Sequence, residues 1–69
     1  MTGEEIINKI LNELEIKALT FAEQIGVLYQ RVFDVQRGKT KKISSQLANA
    51  IIKVYPQFNL TWILTGEGE

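Results

Sequence analysis

Histidine and cysteine are both absent from the 69 residues. That removes the commonest general base, the commonest metal ligand, and every thiolate nucleophile or disulfide. The carboxylates show no paired arrangement. Most stand near the start (Glu4, Glu5, Glu13, Glu15, Glu23) or at the end (Glu67, Glu69) of the chain. Neither an enzyme nor a cofactor or metal is expected. The middle of the chain instead concentrates side chains that bind reversibly. Tyr29, Gln30, Arg31, Phe33, Asp34, Gln36 and Arg37 stand close together, and Lys39, Thr40, Lys41, Lys42, Ser44 and Ser45 follow at once. Glutamine presents a donor beside an acceptor, arginine a planar fork of donors, and lysine a compact point charge. Such a set suits a polyanion whose units also present polar edges.

The formal net charge is zero, but the charge is segregated. Residues 1–26 set the five early glutamates against Lys9 and Lys17. Residues 27–55 set Arg31, Arg37, Lys39, Lys41, Lys42 and Lys53 against Asp34 alone. This asymmetry points to a polyanionic partner at the middle of the chain. The plainer reading is a solvated charged face. No run approaches the roughly 18 apolar residues of a membrane span, and Met1-Thr2-Gly3-Glu4-Glu5 is not a basic targeting segment. A soluble, cytoplasmic protein that does not touch membranes is expected.

The elements that must position these residues are helical. Ile6, Ile7, Ile10, Leu11 and Leu14 make one apolar stripe over residues 4–14, with Thr2 or Gly3 at its start. Phe21, Ala22 and Ile25 line a second helix. Its start is ambiguous: Ala18 gives one more turn for packing and is favoured, while Thr20-Phe21-Ala22-Glu23 reads as a capping box. Gly26 ends this helix and reverses the chain. Leu28, Val32 and Val35 then recur at i, i+4 and i+7, which predicts a third helix over about residues 28–36, stopped by Gly38, with these three inward. Ser44 caps a fourth helix carrying Leu47, Ala48, Ile51, Val54 and Tyr55 on one face and ended by Pro56. Asn59 caps a short fifth helix, Leu60 to Thr65, where Trp62 and Leu64 complete the core or form a dimer surface.

Ala22, Gly26 and Val32 have the spacing of a DNA-binding helix-turn-helix. Residues 18–37 resemble the helix-turn-helix of the Cro and phage-repressor class. Arg37-Gly38-Lys39-Thr40-Lys41-Lys42 resembles the loop that follows its recognition helix, and Trp62-Ile63-Leu64-Thr65-Gly66-Glu67-Gly68-Glu69 resembles a subfamily of phage-type repressors. The resemblance covers nearly the whole chain. One departure stands out: Leu28 occupies a position where many relatives have Ser or Thr, so the side-chain N-cap is missing. The resemblance implies an all-α, compact five-helix bundle of the lambda-repressor-like DNA-binding type over residues 1–66, with residues 67–69 the start of a truncated linker. It implies a near-palindromic double-stranded operator and homodimerisation in the full-length protein through a further domain. The isolated domain is then expected to be monomeric or weakly dimeric.

In that class the outward face of the recognition helix enters the major groove, which here assigns Tyr29, Gln30, Phe33 and Asp34 to base edges. Gln30 can pair bidentately with adenine. Tyr29 can pack on a thymine methyl or reach a phosphate. Phe33 either contacts a thymine methyl or is partly buried against the 39–43 loop or the fourth helix. Asp34 either accepts from a cytosine amine or orients Arg31 or Arg37 by ion pairing. Phosphate contacts are expected from Arg31, Arg37, Lys39, Thr40, Lys41, Lys42, Ser44 and Ser45. At a slope near −0.9 per phosphate, binding should weaken roughly 100- to 1,000-fold for a fivefold rise in salt. The alternative is an antitoxin-like protein-interaction module using Phe33, Tyr29 and Trp62. An aromatic interface of that kind should respond little to salt.

Overall fold

In the computed structural model, which describes Met1–Gly68, five helices follow one another: α1 (Gly3–Leu14), α2 (Ala18–Ile25), α3 (Tyr29–Gln36), α4 (Ser45–Val54) and α5 (Leu60–Thr65). There is no strand among the described residues. Glu69, the last residue of the expected linker, lies outside them.

Each helix starts and stops for a local reason. Thr2 caps α1 through a reciprocal box: its hydroxyl accepts from the Glu5 amide at 3.2 Å, and its own amide donates to Glu5 Oε1 at 2.9 Å. Helix α2 begins at Ala18, the earlier of the two registers, so Thr20 lies inside the helix and does not cap it. Leu28 is the N-cap of α3 and supplies no side-chain bond. Ser44 caps α4 by accepting from the Leu47 amide at 3.2 Å, and Asn59 caps α5 by accepting from Thr61 and Trp62.

Three helices end in the same double closure, in which a left-handed residue lets two amides turn back onto carbonyls of the last turn. After α2, Gly26 and Val27 donate to Glu23 and Ala22, and after α3, Gly38 and Lys39 donate to Val35 and Asp34. After α1 the left-handed residue is Glu15, at φ 56°, the one non-glycine residue with positive φ among those described.

The apolar stripes meet in one cluster. Phe21, Ile7, Ile10, Ile51, Ile63 and Val32 are its largest fully buried members. Burying a side chain such as Phe21 contributes about 1.5–3 kcal/mol. The two short helices α2 and α3 pack on one another, and Ala22 of the one and Val32 of the other are both almost fully buried in this cluster.

Two expectations from periodicity need correction, at Leu28 and at Val54. Leu28 is 71 % exposed rather than inward. It precedes the helix in extended conformation (φ −65°, ψ 135°), so the helical wheel does not apply to it. Val27, half-buried against the core, is the aliphatic residue of the turn that packs inward. Val54 is 41 % exposed at the end of α4. In α5, Ile63 is buried and Leu64 only partly so. Of the two readings offered for Trp62, the core one holds: the side chain is buried, its ring is covered by Phe58, and its indole N–H donates to Met1 Sδ at 3.3 Å.

Candidate nucleic-acid interface

Helix α3 is held by Val32 and Val35, both buried, so the opposite side of its cylinder faces solvent. Gln30 and Arg37 are exposed there, and Phe33 and Asp34 are half-buried beside them. Two arrangements organise this face. Gln30 Nε2 donates to Asp34 Oδ1 at 2.8 Å, one helical turn away. Asp34 therefore engages Gln30, not the arginines that the sequence offered it. A carboxylate only accepts, so it fixes the amide with its nitrogen toward Asp34 and leaves the second N–H and the carbonyl for a ligand.

The second arrangement is a three-tier stack along the same helix. The Tyr29 and Phe33 rings lie 5.5 Å apart at 22°, and the Arg37 guanidinium lies 5.2 Å from the Phe33 centroid. The ring partners of Phe33 thus come from its own helix rather than from the 39–43 loop or α4. A guanidinium over an aromatic face is attracted by the ring quadrupole and keeps its edge donors free. Behind the stack, Gln36 donates to Asn8 of α1 at 3.3 Å, which ties α3 to the first helix.

On one flank, the loop after α3 is pinned at three points. The Lys39 and Thr40 amides both reach the Asp34 carbonyl, the Gly3 amide donates to the Lys41 carbonyl at 2.8 Å, and Ile43 plugs the core. Gly3 permits that approach, because a Cβ there would stand 3.0 Å from the Lys41 carbonyl oxygen and 3.1 Å from Val35 Cγ1. Thr40, Lys42 and Ser44 then share with Arg31 and Asp34 an open cleft of about 210 Å³ at the start of α4. Ser45 is exposed in the first turn of that helix. Lys41 instead borders a small recess with Met1, Gly3 and Thr65, so its backbone faces α1 and not the cleft. Lys39 is exposed on the same loop.

The other flank carries residues that the sequence reading left out. A hollow of about 380 Å³ is lined by Asn8, Asn12, Lys17, Leu19, Tyr29 and Gln36, among others. Lys17 is the N-cap residue of α2, and no side chain caps that helix. Its linear position, immediately before α2, was the available signal. Its neighbourhood with Tyr29 depends on how α1, α2 and α3 pack, which no local pattern encodes. The outward face of α3 thus lies between Lys17 with the open start of α2 on one side and Arg31, Thr40, Lys42 and Ser44 on the other.

Of the predicted residues, the structure brings Tyr29, Gln30, Phe33, Asp34 and Arg37 onto one helix face, and Arg31, Thr40, Lys42 and Ser44 into one flanking cleft. Lys41 stands apart from that cleft. The described residues contain no cluster of acidic side chains able to hold a metal ion, and no helix among them is long and apolar enough to cross a membrane. Compared with family models, with curated proteins and with solved structures, the chain matches none.

Proposed function

We propose that this chain is a sequence-specific, double-stranded-DNA-binding domain of the lambda-repressor-like helix-turn-helix type, serving a phage-type transcriptional repressor. The observation that carries the proposal is the solvent-facing side of α3, which presents Gln30 and Arg37 between two cation-bearing flanks. A helix of this width suits the major groove, and cations on both flanks would suit the phosphate backbones on either side of it. Tyr29, Gln30, Phe33 and Asp34 are assigned to base edges. Arg31, Arg37, Lys39, Thr40, Lys41, Lys42, Ser44 and Ser45 are assigned to phosphates, and Lys17 joins them.

Repression in this reading is steric: a homodimer covers two half-sites about one helical turn apart and excludes polymerase from a near-palindromic operator. The test is selection of bound fragments from a random duplex library. The expected outcome is a short, reproducible half-site containing an adenine position that Gln30→Ala relaxes, at a cost of about 1–3 kcal/mol in discrimination. Recovery of no preferred sequence removes the sequence-specific reading.

An antitoxin-like protein interface is the second reading. Leu28 and Tyr29, 71 % and 40 % exposed, favour it, but buried Trp62 is not available to it. Its binding would be nearly indifferent to salt, whereas DNA binding falls steeply with it.

A further inference from the structure

Leu28 is the most exposed large apolar side chain among the described residues, at 71 %. It also occupies the N-cap of α3, where serine, threonine, aspartate or asparagine would satisfy a first-turn amide. On stability grounds the residue is therefore wrong twice: it leaves the cap unmade and puts an isobutyl group in water. Nothing in the core uses it. It stands beside an open surface hollow of about 290 Å³ formed with Gly26, Val27, Arg31, Gln46 and Leu47, at the end of α3 that also carries Tyr29 and Gln30. We propose that Leu28 is a specificity-determining residue that packs against the 5-methyl group of a thymine in the bound duplex.

The proposal rests on the DNA-binding reading and names one of its base contacts. The chemistry selects the occupant. In the major groove thymine alone among the four bases presents a methyl group, and an apolar side chain recognises it by contact without hydrogen bonds. Gln30, two residues on, has the donor and acceptor that suit adenine, the partner of thymine. Arg31 in the same hollow is a cation beside the apolar group, as a phosphate backbone requires and an apolar protein partner does not.

The experiment uses the duplex selected by the wild-type chain, with each thymine of the half-site replaced singly by uracil, which removes only the methyl. Wild type should lose about fourfold in affinity at one position, the weight of one buried methyl group. Leu28→Met, which keeps an apolar reach, should keep that ratio. Leu28→Ser should bring it close to one. The same serine supplies the missing cap, so its Tm should rise by about 4–8 °C while recognition falls. Opposite movement of stability and methyl discrimination separates recognition from a structural role. A wild-type ratio near one at every thymine, or an unchanged ratio in Leu28→Ser, overturns the assignment and leaves DNA binding intact. Failure to bind any duplex overturns both.

Discussion

Glu15 adopts φ 56°, ψ 41°, with its side chain in solvent. For a residue with a Cβ this conformation costs roughly 1–2 kcal/mol, part of which glycine recovers despite its larger unfolded entropy. The homologous positions after α2 and α3 are glycines with the same pattern of returning amides. Glu15→Gly is expected to stabilise the fold by about 0.5–1 kcal/mol, read as a higher Tm, and Glu15→Ala should give no such gain. At Gly26 the same physics runs in reverse. An added Cβ there meets nothing within 4 Å, so the requirement is for positive φ and not for space. The sequence announced the stops at Gly26 and Gly38 through residue type. It was silent at Glu15, because a glutamate gives no sign that its backbone is left-handed.

At the scale of elements, α1 is held to its start by the Thr2–Glu5 box. The Glu5 carboxylate is held below its ordinary range, first by the Thr2 amide, then by the Thr2 hydroxyl, with a small opposing effect of burial. A carboxyl whose folded pKa is depressed contributes stability above its unfolded pKa and loses it as pH falls through the folded value. Wild type should therefore exceed Glu5→Gln in Tm at neutral pH, and the gap should close as the pH falls below the ordinary glutamate value of about 4.3. A gap that persists unchanged to pH 2 would assign the difference to packing.

Element order and boundaries were legible from the sequence wherever a stripe of Ile, Leu, Val or Phe coincided with a cap. Hence the agreement at Ser44 and Asn59; at Ala18, where no side chain caps α2, the extra turn of packing decided the start. The wheel failed at Leu28 because it extends helical geometry to a residue that precedes the helix. The candidate interface was legible along α3, where a single period governs direction. It was not legible where side-chain choice or helix packing decides: the Gln30–Asp34 bond and the guanidinium over Phe33 are particular choices among the pairs that one helical turn allows, and the hollow beside Lys17 depends on how α1, α2 and α3 pack.

The whole molecule measures 26 × 25 × 21 Å, and apart from Gly3 its buried residues are all apolar, so every charge in the described residues reaches the surface. What matters for a polyanion is then where the surface charges lie. Lys42 stands at the cleft beside α3, and Lys53 lies in the last turn of α4, roughly 12 Å along that helix from its start at a rise of about 1.5 Å per residue. Each phosphate neutralised on binding contributes about 0.9 to the slope of log affinity against log salt. Lys42→Gln should therefore flatten the slope by about 0.9 on every duplex, selected or not, because a point charge carries little base information. Lys17→Gln should do the same from the opposite flank, which the sequence alone did not implicate. Lys53→Gln should leave the slope where it was. Fluorescence anisotropy on one selected and one scrambled duplex, between about 50 and 200 mM salt, measures all three. Equal slopes for the Lys42 and Lys53 variants would mean that DNA responds to the overall charge of the chain and not to the face built around α3.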